Sequence, residues 1–130
     1  MIASVSYIEE SFKKYTHQIF DDCLPIPVIK LSRAKTRLGQ MAYKRKVRLG
    51  HIEYYDFRIS ISTAYDLLQD ALDDVIIHEM IHYYIAYKGI RDSSAHGKMF
   101  RSLMSVVNTR HGRHVSVSVK QRNLKEMVEP

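Results

Sequence analysis

Cysteine is almost absent from the sequence, and long apolar runs are absent altogether. Cys23 is the single cysteine, so the chain can form neither an internal disulfide nor a cluster of thiolate zinc ligands. No uninterrupted apolar stretch approaches the roughly 18 residues of a transmembrane helix. The first ten residues also lack the basic start and apolar core of a secretory signal. We therefore expect a cytoplasmic protein with no membrane partner.

Acidic residues are missing from two stretches of the chain, between Asp22 and Glu53 and between Asp92 and Glu126. The first stretch carries eight lysines and arginines and the second carries seven, within a net charge of +6. Such an uneven distribution favours a polyanionic partner such as DNA, although a solvated basic face would give the same pattern. The candidate nucleic-acid contacts are Lys44, Arg45, Lys46, Arg48, Arg110 and Arg113.

The length of 130 residues fits one domain, and capping signals mark where its helices begin. Ser6 and Glu9 form a capping box, and Thr63 and Asp66 form a second one. The apolar residues that follow recur at helical spacing. The predicted helices cover residues 7–22, a region from the second capping box to Gly89, and about Ala95 to Arg110.

Alternating and β-branched residues predict strands between the first two helices and at the end of the chain. The clearest alternation places Tyr55, Phe57, Ile59 and Ile61 on one face, and Gly39 marks a bend or a close backbone approach. The predicted strands are Val28–Ser32, Leu38–Lys44, Tyr55–Ser62 and a short one over His114–Lys120, with a turn at Gly50-His51. This order of elements predicts an α+β domain.

The most apolar stretch of the chain, VIIHEMIHYYIAY over residues 75–87, also contains its tightest cluster of ionisable groups. Apolar residues surround a helix of this sequence on nearly all sides, which indicates a buried helix. Burying two imidazoles and a carboxylate without partners would cost several kcal/mol, so a compensating group is required. A chance occurrence of the pattern is the competing interpretation.

A metal ion compensates the cluster in the simplest way. His78 and His82 lie one helical turn apart on the same face, so each can direct a ring nitrogen at one centre. Glu79 points away from that centre but can reach a water molecule beside it. This is the HExxH arrangement, in which the two histidines bind zinc and the glutamate is the general base.

A catalytic zinc site needs a third protein ligand, and the sequence narrows the choice. The extended pattern HExxHxxGxxH is missing, because Ile85 and Lys88 occupy its glycine and histidine positions. A glutamate ligand on the next helix is also missing, since only the tail residues Glu126 and Glu129 follow. His96 remains, with Asp92 as the alternative, and a histidine with only a capping role is the competing interpretation of His96.

The residues His78-Glu-Met-Ile-His82 followed by Ser-Ala-His96-Gly-Lys-Met-Phe100 resemble the SprT-like zinc metalloprotease family, which includes the catalytic domain of Spartan. The likeness extends from the first helix to about residue 120. It implies a zincin-like fold, one zinc ion held by His78, His82 and His96, and Glu79 as catalytic base. It also implies proteolysis of proteins associated with or crosslinked to DNA.

These observations lead us to expect a zinc metalloendopeptidase in a single domain, residues 1–130, without the cysteine-rich zinc ribbon of many family members. Tyr55–Ser62 is expected to be the edge strand on which an extended substrate lies. Two alternatives stay open: a basic nucleic-acid-binding module with a structural zinc, and an inactive zincin.

Overall fold

The computed structural model describes residues 1–130 and confirms the α+β class, with four helices and a three-stranded mixed sheet. In chain order, the elements are α1 (Val5–Ile19), β1 (Val28–Ser32), β2 (Gly39–Arg48), β3 (His51–Ser62), α2 (Gln69–Tyr87), α3 (Lys98–His111) and α4 (Leu124–Met127). No helix combines the length and the apolar composition needed to cross a bilayer.

The three long helices begin at different residues from those predicted, and α3 begins at Lys98 rather than at about Ala95. The side chain of Ser4, rather than Ser6, caps α1 by accepting a hydrogen bond from the Tyr7 amide at 3.2 Å. Thr63 caps no helix, because its hydroxyl donates to the Ser32 carbonyl and ties the end of β3 to the end of β1. The helix α2 therefore starts only at Gln69.

β3 is the central strand of the sheet, so the prediction that Tyr55–Ser62 forms the edge is wrong. β2 turns back onto β3 through Leu49 and Gly50 and pairs with it antiparallel, while β1 pairs with its other side in parallel. Both hydrogen-bonding sides of β3 are therefore occupied. The strand with a free edge next to α2 is β2, and Gly39 at its start lies against the side chain of Glu79.

A bulge at Asp56 changes which side chains face the helices. The register passes from Ala42 opposite Arg58 to Lys44 opposite Tyr55, so β3 contains one extra residue, and Asp56 adopts a φ of 57°. Side-chain alternation therefore reverses beyond the bulge. Ile59 and Ile61 are fully buried as the sequence predicts, whereas Tyr55 is displaced to the outer face.

The segment predicted as a last strand, His114–Lys120, has no regular secondary structure, so this prediction is wrong. No strand edge is paired with it, and its backbone is held by side chains instead. Asn108 of α3 exchanges two hydrogen bonds with the backbone of Val115, at 2.9 and 2.8 Å. Alternation in the sequence cannot distinguish this arrangement from a strand.

The core surrounds α2, which packs against the sheet on one side and against α1 and α3 on others. Its apolar residues Leu72, Ile76, Ile77, Met80 and Ile81 are completely buried. Two carboxylates of the same helix, Asp73 and Asp74, are also buried. Each is compensated, Asp73 by two tyrosine hydroxyls of α1 and Asp74 by two arginines.

Candidate metal centre

Three histidines converge at one end of a groove beside α2. His78 and His82 lie one turn apart on α2, and His96 lies in the turn that precedes α3. Their Nε2 atoms are separated by 3.2 Å (His78 to His82), 3.1 Å (His82 to His96) and 3.3 Å (His78 to His96). The structure therefore brings together the three histidines that the sequence singles out.

The triangle of nitrogens has the dimensions of a metal site. Tetrahedral zinc with Zn–N distances of about 2.0–2.1 Å holds its ligand nitrogens roughly 3.3–3.4 Å apart, close to the separations found here. A neutral imidazole has only one N–H, so the rings cannot satisfy one another fully by hydrogen bonds. The three histidines are thus able to hold a metal ion.

The protonation state of the rings suits this role. Burial lowers the pKa of His78 to about 4. Burial, reinforced by the neighbouring histidines, lowers the pKa of His82 to about 3. The pKa of His96 is lowered as well, again mainly by burial. All three imidazoles are therefore neutral near pH 7 and keep a lone pair for a cation.

A backbone carbonyl selects the tautomer of His78. The Nδ1 atom of this ring lies 2.8 Å from the carbonyl oxygen of Ser116, which can only accept a hydrogen bond. Nδ1 must therefore carry the proton, and Nε2 presents its lone pair to the other histidines. Metal-binding histidines are commonly oriented in this way by a second hydrogen bond. No side-chain motif in the sequence could have revealed this contact.

Phe100 forms an apolar wall against all three rings. It is fully buried on α3, with its ring centroid 5.0 Å from that of His78, 4.5 Å from that of His82 and 4.9 Å from that of His96. This packing limits the rotation of the imidazoles. The same packing gives a structural reason for an aromatic side chain at position 100, on the first turn of α3.

Asp92, the alternative third ligand, instead caps α3. Its carboxylate accepts hydrogen bonds from the amides of Phe100 at 2.9 Å and Met99 at 3.2 Å. Gly97 permits this approach, because a Cβ atom at that position would lie 2.2 Å from Asp92 Oδ1. Asp92 therefore fixes the turn that presents His96, and it does so without joining the triangle.

Glu79 lies beside the triangle but outside it. Its Oε2 is 3.9 Å from Nε2 of His78, and the residue is 5% exposed. The backbone of β2 passes close by, since a Cβ at Gly39 would lie 2.8 Å from the same oxygen. The sequence predicts a bend or a close backbone approach at Gly39, and the structure shows the close approach. A carboxyl group placed here can exchange a proton with a molecule held between it and the histidines.

The groove that contains these groups has a volume of about 1090 Å³. One wall is the first half of β2 with the β2–β3 hairpin, and the other wall is the irregular segment after α3. The lining residues include Arg37, Gly39, Met41, Tyr43, Ile52, Tyr54, His78, Glu79, His82, His96, His114, Ser116 and Val117. The groove is therefore open along the free edge of β2.

The six candidate nucleic-acid contacts occupy different environments. Lys44, Arg45, Lys46 and Arg48 are exposed on the β2–β3 hairpin, where Lys44 pairs with Asp56 at 3.2 Å and Lys46 with Glu53 at 3.7 Å. Arg110 is exposed at the end of α3. Arg113 is largely buried and bound to Asp74 at 2.8 Å, so its guanidinium is engaged within the protein.

Without a metal, burial raises the pKa of Glu79 to about 8, from an ordinary value of 4.5, and the charge of Arg37 opposes the shift. Between these pH values the folded protein binds more protons than the unfolded chain. The stability associated with the protonated carboxyl is therefore fully present below pH 4.5 and lost as the pH rises through 8. The lowered histidine pKa values act in the opposite direction at and around their ordinary value of 6.5, because the unfolded chain binds more protons there than the folded protein.

We therefore expect the free energy of unfolding of the metal-free wild type, relative to that of Glu79→Gln, to fall by about 1–2 kcal/mol between pH 6.5 and 8. The amide of Glu79→Gln does not titrate, so the variant keeps only the contribution of the histidines. Urea unfolding at several pH values in the presence of a chelator measures the effect. An equal slope in wild type and variant would show that Glu79 titrates normally.

Comparison with known families agrees with the geometry of the site. A family model described as the SprT-like family matches residues 8–121, which is most of the chain. A search of curated proteins found no significant match. The matched range includes most of α1, the whole sheet, the three histidines, Glu79 and Ser116, which contacts His78. The chain belongs to the SprT-like family.

Proposed function

We propose that the chain is a zinc metallopeptidase that hydrolyses peptide bonds in extended polypeptides, with one zinc ion per chain. The observation that carries this proposal is the triangle of neutral imidazole nitrogens, 3.1–3.3 Å apart, with the Glu79 carboxyl beside it. Nitrogen ligands in this geometry suit zinc, and His78, His82 and His96 would hold it. Membership of the SprT-like family supports the same activity.

Zinc, when bound, supplies a Lewis acid that polarises the scissile carbonyl and lowers the pKa of water. The positive charge also favours the ionised form of the nearby carboxyl, so Glu79 becomes a carboxylate at neutral pH. Glu79 then accepts a proton from water as the water oxygen attacks the carbonyl carbon. The same residue delivers that proton to the amide nitrogen as the C–N bond breaks.

The free edge of β2 is the surface on which an extended substrate would lie. The Leu38 carbonyl accepts a hydrogen bond from the Ser62 amide at 2.8 Å, so the groups of Leu38 and Gln40 point towards β3. By alternation, the backbone groups of Gly39 and Met41 point towards the groove. A peptide paired with them would pass directly beside Glu79.

The inner face of the β2–β3 hairpin would receive apolar side chains of that substrate. The bulge at Asp56 places Ile52 and Tyr54 on the same face as Tyr43, and all three line the groove. Tyr43 and Ile52 are 41% and 49% exposed. The hairpin is continuous with the free edge of β2, so a peptide that pairs with the edge would meet this apolar face.

Metal content and cleavage together test the proposed activity. Glu79→Gln should retain zinc and lose cleavage of an unfolded, fluorescently labelled protein, by at least about 100-fold. His78→Ala, His82→Ala and His96→Ala should lose both zinc and cleavage. His111→Ala, which removes an exposed histidine outside the groove, is the control and should retain both. Absence of zinc from the reconstituted wild type would contradict the proposal.

Two tyrosines of the hairpin offer a matched test of the apolar face. Tyr43 and Tyr55 are 41% and 42% exposed, but Tyr43 lines the groove and Tyr55 lies on the opposite face, under Lys46. Tyr43→Ser should raise the KM for unfolded protein about 3–30-fold with little change in kcat, because it removes apolar binding area. Tyr55→Ser should leave KM unchanged. Equal effects of the two substitutions would exclude a specific contact at Tyr43.

Nucleic-acid binding is a second candidate function, and it would direct the peptidase to DNA-associated proteins. It is supported by the exposed lysine and arginine side chains of the β2–β3 hairpin, where Arg45 and Arg48 have no acidic partner within 4.0 Å. We expect the double variant Arg45→Ala/Arg48→Ala to weaken DNA affinity and to reduce its salt dependence, whereas Glu79→Gln should change neither. Fluorescence anisotropy with labelled DNA at several salt concentrations measures both the affinity and its salt dependence. Affinity that is independent of salt would argue against the hairpin surface.

A further inference from the structure

The irregular segment after α3, residues 113–122, is held at both ends by one buried carboxylate. Arg113 lies at its start and donates from Nε to Asp74 Oδ1 at 2.8 Å. Arg122 lies at its end and donates from Nη1 to the other oxygen, Asp74 Oδ2. Asp74 is 4% exposed, so the carboxylate is buried, although Asp74 and Arg122 both border the groove. A segment without a strand or helix of its own thus has a fixed point at each end, in addition to the two hydrogen bonds that Asn108 exchanges with Val115.

The contact that selects the tautomer of His78 comes from between these two fixed points. Ser116 lies three residues after Arg113, and its carbonyl accepts the Nδ1 proton of His78 at 2.8 Å. Asp74 lies four residues before His78, on the same face of α2. Asp74 and His78 are therefore neighbours on one face of α2, and the side chains of both are bound to residues 113–122.

We propose that Asp74, through Arg113 and Arg122, is a positioning residue for the metal centre. It holds residues 113–122 so that the Ser116 carbonyl keeps His78 in the tautomer and orientation that present Nε2 to the ion. The inference rests on the proposed metal site and extends it beyond the three ligands. A buried ion pair stabilises a fold weakly against an apolar alternative, but it specifies geometry, and here it specifies the position of one carbonyl.

Loss of the Asp74 carboxylate should weaken metal binding. Two arginines then lose their common partner, and the ends of residues 113–122 lose their anchor while the Asn108–Val115 hydrogen bonds remain. The Ser116 carbonyl is then held less firmly, and His78 can exchange its proton between the two ring nitrogens. Substitutions that disturb the hydrogen-bond partner of a ligand typically reduce metal affinity 10–100-fold. We expect a reduction in this range for Asp74→Asn.

The neighbouring residue provides a matched control. Asp73 is 3% exposed, and its carboxylate accepts hydrogen bonds from Tyr7 and Tyr15 of α1. Asp73→Asn is therefore the same chemical change at a buried carboxylate of the same helix. It also disturbs two side-chain hydrogen bonds, which come from neutral tyrosines rather than from arginines. It loosens α1 and removes no hydrogen bond of residues 113–122, which Asp73 reaches only through the Tyr15 ring that lies 5.6 Å from the Arg113 guanidinium. A general loss of stability would affect both variants, whereas the positioning role is specific to Asp74.

The experiment measures zinc affinity by competition with a chromophoric chelator, at a temperature where denaturant curves show each protein to be folded. Asp74→Asn should bind zinc 10–100-fold more weakly than wild type, and Asp73→Asn within about twofold of it. Arg122→Met should reproduce the loss, and Arg122→Lys should recover part of the affinity. In the metal-free wild type, ¹⁵N NMR should show His78 protonated at Nδ1, and in Asp74→Asn a mixture of tautomers.

Equal zinc affinity in wild type and Asp74→Asn would overturn the inference while leaving the proposed function intact. An equal loss in Asp73→Asn and Asp74→Asn would also overturn it, because general loosening would then explain the effect. If Asp74→Asn does not fold, the zinc affinities of Arg122→Met and Asp73→Asn are compared instead. An equal loss in these two variants would overturn the inference in the same way. A wild type without zinc affinity would instead refute the proposed function itself.

Discussion

The rest of the metal centre depends on one constraint. Three imidazole nitrogens, from His78, His82 and His96, converge at the edge of a buried helix. Nitrogens 3.1–3.3 Å apart without enough protons to bridge them repel one another, and a cation removes that repulsion. The burial that lowers the histidine pKa values also raises that of Glu79. One cation therefore compensates both effects, because it binds the neutral rings and favours the charged carboxylate.

Much of the site could be predicted because its ligands follow local rules. The spacing of His78 and His82 fixes their relative position on any helix, and the apolar surroundings of the pair indicate burial. Excluding the other third ligands leaves His96 and Asp92, and the structure brings only His96 to the other two histidines. The Ser116 carbonyl could not be predicted, since every residue has a carbonyl and only the folded path of residues 113–122 selects this one.

The fold was less predictable wherever it depends on which strands pair. Alternation marks β3 as a strand, but the pattern is equally compatible with an edge and with the centre of a sheet. The bulge at Asp56 is similarly hidden, because an extra residue changes the register without changing the composition. Both features matter for function, since they assign the free edge to β2 and turn Tyr54 rather than Tyr55 towards the groove.

The polar residues of α2 explain how so apolar a helix acquires a unique position. Asp73 binds the tyrosines of α1, Asp74 binds residues 113–122, Glu79 lies against β2, and Tyr83 donates to the Pro25 carbonyl before β1. Each polar group thus specifies a different neighbouring element. Apolar burial alone would tolerate rotation or sliding of α2, whereas an unpaired buried carboxylate or hydroxyl is costly in every other arrangement. The same contacts that fix the helix therefore also fix the direction in which His78 and His82 present their nitrogens.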